Sequence, residues 1–355
     1  MNPTLKNELL NNNITKSKND WDLFFPCAYD EIDKEIDMMP KVDGKKYFII
    51  ENSDIMIAKE WLWQCVVGYH GLTKAQSLLP NSYILGLSGD VKRFLDEYDS
   101  NKIYIMKKNV QRQEGLKITN NKDEIVSGYS NSYTIVQELL QDPYIISGRK
   151  TNMRLYILII CYDDILSVFV YNDGFMYYTK DMFVKNSLED GPNITTGYID
   201  RKVYQENPLT LNDLRIYLDD PNRKQLTVTE QHIRNNAYKI SDVYFNRIYA
   251  CLKDLFMSYV GKIGKGGKFS NKHFTFQLFG VDVGMSDSLV PKVMEINKGP
   301  DMSSKDTRDG SVKTGVVNNM LKLIGAIQND DNDDNEPNNF IKLLDVDNST
   351  DILDN

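Results

Sequence analysis

The stretch FGVDVGMSDSLVPKVMEINKGPDMSS, residues 279–304, decides how the rest of the chain is read. It has the form of two strands joined by a polar turn, with Asp282 on the first and Glu295 and Asn297 on the second. Residues i and i+2 on a strand point to one face, so Glu295 and Asn297 project together, while Val293 and Ile296 supply apolar content. A hairpin pairing would set Asp282 beside them. Two carboxylates and an amide oxygen at one spot form an all-oxygen donor set of the kind Mg²⁺ takes when phosphates complete its octahedron. On its own, such a D…E-x-N pattern equally suits a solvated hairpin edge.

The remaining chain narrows the choice. Its 355 residues allow several lobes around a shared core. The 41% apolar and 26% charged composition is that of a globular protein. The formal net charge is −8, but residues 330–355 hold nine acids against the single base Lys342, so residues 1–329 are close to neutral. The acidic pI therefore does not exclude a local basic groove for an acidic partner. Cys27, Cys65, Cys161 and Cys251 are widely spaced and read as thiols, not as a disulfide framework. His70, His232 and His273 lack metal spacing. There is no apolar run of membrane-span length and no signal-peptide core at the N-terminus. These features point to a cytoplasmic protein with no membrane association and give no sign of a nucleic-acid partner.

The expected organisation is a loose N-terminus (1–20), an N-terminal lobe (21–100), a central lobe (101–150), a C-terminal lobe (151–327) and an acidic, disordered tail (328–355). In the central lobe, KIYIMKK reads as a strand leading into a hairpin with a flexible tip, and YTIVQELL (133–140) as a further strand. In the C-terminal lobe, MRLYILIICY and LSVFVYN are strands parted by Asp163-Asp164. Asp173-Gly174 is expected to turn the chain into FMYYT. Residues 184–208 read as a mobile loop, and 229–262 as one or two amphipathic helices.

Several residues in this frame bear chemistry. Lys107 ends an alternating strand ahead of a loop closed by Gly115, an arrangement suited to phosphate and equally to a surface lysine. Gln137 and Glu138, with Leu139 and Leu140 beside them, could offer hydrogen bonds and an apolar surface to an adenine. Lys150, Asn152 and Arg154 share one face of a strong strand. Arg154 on a sheet face requires an anion, either a transferred phosphate or a structural carboxylate.

In this order the fragments resemble the tubulin–tyrosine ligase-like family of the ATP-grasp fold, over roughly residues 78–327. The carriers are LLPNSYIL (78–85), Lys107 with Gly115, Val136-Gln137-Glu138, Arg149-Lys150-x-Asn152-x-Arg154, FGVDV, VMEIN and the Lys313 helix. The resemblance implies an α+β ATP-grasp fold with mixed and antiparallel sheets. It also implies an ATP-dependent ligase joining a free amino acid to a protein carboxylate, with tubulin or another acidic tail as acceptor. Lys107 and Lys150 would bind phosphates, and Gln137, Glu138, Leu139 and Leu140 the adenine. Asn152, Thr195 and Asn297 would complete the nucleotide site. Asp282, Glu295 and Asn297 would hold two Mg²⁺ ions, while Arg154 stabilises developing charge and Glu295 serves the chemistry as well as the metal.

The chain departs from the family pattern at four places. Asn152 replaces an Asp, Tyr177 stands where an Arg is usual, Asn193-Ile194-Thr195-Thr196 keeps only the threonine of its segment, and Glu138 replaces a Lys. These departures leave two further readings open: a pseudoenzyme that binds nucleotide or protein without turnover, and an ATP-grasp ligase for a small molecule.

Overall fold

A computed structural model describes residues 3–17, 19–26, 36–110, 115–328 and 338–349. Cys27, residues 111–114 of the hairpin tip and most acids of the tail lie outside the described residues. The strands are β1 (Leu23–Phe24), β2 (Lys46–Phe48), β3 (Ser82–Ile84), β4 (Tyr104–Lys107), β5 (Leu116–Thr119), β6 (Ile135–Glu138), β7 (Ile145–Ile146), β8 (Arg149–Tyr162), β9 (Ile165–Thr179), β10 (Thr195–Thr196), β11 (Phe274–Met285), β12 (Pro291–Lys298) and β13 (Phe340–Asp347).

They form two sheets. Nine strands build the large one in the order β1-β2-β11-β8-β9-β10, with β12 added on β11, β13 on β9 and β7 on β8. The β1–β2 and β2–β11 pairs are parallel and the others antiparallel. The smaller sheet, β3-β6-β4-β5, is antiparallel throughout. β3 belongs to it although Ser82–Ile84 precedes the residue-100 boundary expected from sequence. The result is an α+β fold with mixed and antiparallel sheets.

β8 is central because its run from Leu155 to Cys161 is buried throughout, as a strand covered on both faces must be. It turns into β9 through Asp163 and Asp164, whose φ values of 52° and 58° are those of a tight two-residue hairpin. The helices Ile240–Met257 and Thr307–Leu323 bury their apolar sides in the same core cluster as this sheet. The amphipathic run 229–262 resolves into two helices, Val228–Asn235 and Ile240–Met257, with Ala237 at φ 60° in the break.

Four expectations change. Asp173-Gly174 is not a hairpin turn, since β9 runs straight through it and absorbs residues 171–173 as a bulge opposite β8. A Cβ on residue 174 would lie 2.3 Å from the Arg154 carbonyl oxygen, so glycine is required by close approach and not by a turn. Residues 184–208 contain two single-turn helices and β10, fastened by Asn193 Nδ2 to the Ser187 and Glu189 carbonyls and by Tyr204 OH to Met176 O (3.1 Å).

Residues 3–11, expected to be loose, form a helix packed on Thr307–Leu323, with the Thr4 hydroxyl donating to Met302 O. Residues 340–347, expected in a disordered tail, form β13, which buries Phe340 and Leu344 and pairs with the Ile165–Tyr171 part of β9. In both cases the apolar residues are few and set among Asn, Asp and Lys; in the tail they belong to NFIKLLDV, whose amphipathic pattern stands out within it.

Among the described residues no helix is long and apolar enough to cross a membrane. Cys161 and Cys251 are buried free thiols, whereas Cys65 is half-buried. His70 binds the Asp254 carbonyl and His273 the Ser270 hydroxyl, both structural contacts.

Gly174→Ala should force β9 off β8 and cost roughly 3 kcal/mol or more. Urea unfolding of the variant checks this, and an unchanged midpoint would contradict the close-approach argument.

Candidate active site

The site is built on the end of the large sheet where its apolar run stops. In the β11–β12 hairpin Asp282 lies directly opposite Glu295, with a bulge immediately after Asp282. Across β11 the next partner of Asp282 is Arg154, and Asn152 faces Gly284. One strand further, Asn152 is paired with Tyr177 and Arg154 with Phe175. Cross-strand partners share a face, so Lys150, Asn152, Arg154, Tyr177, Asp282 and Glu295 occupy one surface. A Cβ at Gly280 would lie 3.1 Å from Arg154 Cδ, so the glycine two residues before Asp282 clears space for the arginine stem.

The charges are closely coupled. Arg154 grips Asp282 through two parallel bonds, Nε to Oδ1 at 2.5 Å and Nη2 to Oδ2 at 2.9 Å. Both side chains are nearly buried (14% and 13% exposed). Thus the structural-carboxylate alternative for Arg154 is realised, and the carboxylate is the one expected to hold metal. Burial, opposed by Arg154 but reinforced by the neighbouring Glu295, keeps the Asp282 carboxyl above its usual range. Glu295 moves the other way: burial disfavours its charge, but Lys107, the Asn297 amide, Arg154 and Lys59 together hold it below its usual range. Asn297 Nδ2 donates to Glu295 Oε1 at 3.2 Å, which leaves the Asn297 Oδ1 as the oxygen it can offer. No group of three or more His, Cys, Asp or Glu suited to a metal occurs among the described residues. Two carboxylates and an amide are hard oxygen donors, chemically of the kind Mg²⁺ takes.

The smaller sheet faces this surface. On β4, Tyr104 and Met106 point into that lobe's own core, so Ile103, Ile105 and Lys107 take the opposite face. Burial, countered only in part by Glu295, lowers the Lys107 ammonium to about 8. Burial, joined by the charge of Lys107, lowers Lys150 likewise to about 8. Neither lysine forms an ion pair with a described residue, and Lys150 Nζ reaches only the Leu140 carbonyl at 3.4 Å. Two desolvated like charges near each other are costly unless an anion joins them.

Beside them Ile103, Ile105 and Ile118 form an apolar cluster with Leu116, Leu139 and Ile194, the last reaching across from the segment before β10. Gln137 is held by Ser82 (Nε2 to Oγ, 2.8 Å). The Glu138 N–H is used by the Asn81 carbonyl and the Leu139 N–H by the Ile103 carbonyl, so among these hinge residues only the Leu140 N–H has no hydrogen bond to a described residue. The Glu138 side chain points away from the site, pairing with Lys102 (2.8 Å) and Asn81. Its departure from the family's lysine therefore does not alter the cleft. Thr195 pairs with Thr179 on β9, below Tyr177.

Of the other departures, Tyr177 lies on the site face with its ring 5.3 Å from the Arg154 guanidinium. Asn152 Oδ1 is buried and has no hydrogen-bond partner among the described residues. Lys313 is committed to Asp309 (2.9 Å) and the Ser303 carbonyl. Sequence reasoning missed Lys59. It begins the helix Lys59–His70, donates to Val110 O at 3.1 Å, and its charge acts on both Lys107 and Glu295. Nothing local marks it, because its position comes from helix docking.

The tubulin-tyrosine ligase family model matches residues 40–335. The chain belongs to that family. Family relatives include a tubulin polyglutamylase of Xenopus tropicalis, 25% identical over 223 residues, which are 61% of this chain and 24% of that protein. A probable beta-tubulin polyglutamylase of Tetrahymena thermophila is 24% identical over 260 residues, 70% of this chain and 21% of that protein. A tubulin monoglutamylase of Homo sapiens is 24% identical over 264 residues, 72% and 21% respectively. The chain thus spans about a quarter of the length of these family members.

A lysine kept charged below its ordinary range costs folding free energy at neutral pH, and the cost fades as pH rises from about 8 towards the unfolded value near 10.4. Lys150→Met should therefore stabilise the protein at pH 7, on the order of 2 kcal/mol, with a smaller gain at pH 10. Urea unfolding at the two pH values measures it. Lower stability of the variant at pH 7 would show that Lys150 is already compensated.

Proposed function

We propose that this chain is an ATP- and Mg²⁺-dependent carboxylate–amine ligase of the ATP-grasp type, adding an amino acid, glutamate first among the candidates, to an acidic protein tail such as that of tubulin. The observation that carries the reading is a pair of desolvated lysines without an ion pair to a described residue, half-buried Lys107 on the small sheet and buried Lys150 on the large one, close to the carboxylate pair Asp282 and Glu295. That arrangement asks for an anion and a cation together, as a nucleotide with its metal supplies. Family membership and the names of the relatives supply the choice of glutamate and tubulin.

In this reading the base packs on the Ile105–Ile118–Leu139 cluster, with Leu140 N–H as hinge donor. Lys107 and Lys150 take the phosphates. Asp282, Glu295 and Asn297 would hold Mg²⁺, which when bound withdraws charge from phosphate oxygens. Arg154 stabilises charge on the transferred phosphoryl group. The acceptor carboxylate displaces ADP from the γ-phosphate, and the incoming amine then displaces inorganic phosphate from the acyl carbon. The protein contributes position and preorganised charge and needs no nucleophilic side chain.

A second reading, nucleotide binding without turnover, is favoured by Asn152 and Tyr177, which leave the site face one carboxylate and one guanidinium poorer than the family pattern. Incubation with tubulin, ATP, Mg²⁺ and labelled glutamate, tyrosine or glycine separates the two. Incorporation of one label, reduced about 100-fold or more in Glu295→Gln, supports the ligase. Full incorporation by Glu295→Gln would remove the metal role, and ATP-analogue binding with no incorporation would favour the second reading.

A further inference from the structure

The residue proposed to receive phosphate charge and a residue proposed to receive metal are bound to each other in the free protein. Arg154 and Asp282 stand in direct register on neighbouring strands, so the backbone cannot separate them and any exchange of partners must occur by side-chain rotation. Gly280 presents no side chain against the arginine stem, and Tyr177 offers a ring face beside the guanidinium, 5.3 Å away. Asp282 lies against Glu295, so a cation entering between the two carboxylates would sit close to the guanidinium and repel it. An anion held between Lys107 and Lys150 would draw the guanidinium the same way, since Arg154 shares the β8 face of Lys150.

We propose that Asp282 has a second role, as the internal counter-ion that holds Arg154 away from the phosphates until a divalent cation occupies the Asp282–Glu295 pair and releases it. Arg154 is then a reporter of metal occupancy, and cation and anion binding assist each other although their ligands are different side chains. Coupling between two such sites is reciprocal. The inference rests on the metal-and-phosphate reading above.

Two gains of binding test it, and a merely damaged fold would produce neither. Without nucleotide, Arg154→Met should bind Mn²⁺ about 5-fold or more tightly than wild type, read from the free-ion electron paramagnetic resonance signal. In the presence of EDTA, Asp282→Asn should bind inorganic tripolyphosphate about 5-fold or more tightly, read by calorimetry. Circular dichroism checks folding. If Arg154→Met does not fold, the Asp282→Asn arm decides, because it leaves no unpaired buried carboxylate at that position. Wild type that binds both ligands with no gain in the folded variants overturns the latch alone. Wild type that binds neither ligand overturns the metal-and-phosphate reading and the latch with it.

Discussion

The molecule is organised around the cost of placing charge on the face of a sheet. Along β8 the chain passes from Lys150, Asn152 and Arg154 on one face into an apolar run that is buried on both sides. Guanidinium and carboxylate can lie there only because strand register sets Arg154 opposite Asp282 and Asp282 opposite Glu295. A slip of one residue in either pairing would turn every one of these side chains to the other face. The register is in turn held by bulky partners further along the same strands, including Phe276 and Phe279, which are fully buried. Hydrophobic packing at one end of the sheet thus fixes polar geometry at the other.

The small sheet adds the opposite imbalance. Its own core, centred on Tyr83, Phe94, Tyr104 and Met106, consumes one face of β4 and commits Lys107 to the other. Glu60 on the helix Lys59–His70 accepts from the Thr134 hydroxyl at 3.1 Å, while Lys59 reaches Val110. These two contacts fasten the edge of the small sheet to the N-terminal helices beside the cleft. Neither lysine forms an ion pair with a described residue, so the desolvation of their charges lowers stability locally.

Much of this was legible before any coordinates. The i, i+2 spacing of Glu295 and Asn297, and of Lys150, Asn152 and Arg154, was sufficient to place them on common faces, because strand periodicity depends on little else. The partner of Arg154 was not decidable, since phosphate and carboxylate satisfy a guanidinium equally well. Asp173-Gly174 misled because the same dipeptide serves a tight turn and a crowded bulge, and only the neighbouring strand distinguishes them. Glu138 could have been assigned outward by alternation with Gln137. Lys59 could not have been found, because its nearness to Lys107 comes from docking across more than forty residues of intervening chain.

β13 has a consequence of a different kind. The Ile165–Tyr171 half of β9 has β8 on one side and depends on Phe340–Asp347 for the other. Without that last strand, a row of backbone donors and acceptors beside Val168 and Val170 would face water as an open template for another chain. Ending the protein ahead of residue 340 would therefore move the border of the sheet from β13, which carries Lys342, Asp345 and Asp347, inward to the apolar β9 and make that border adhesive.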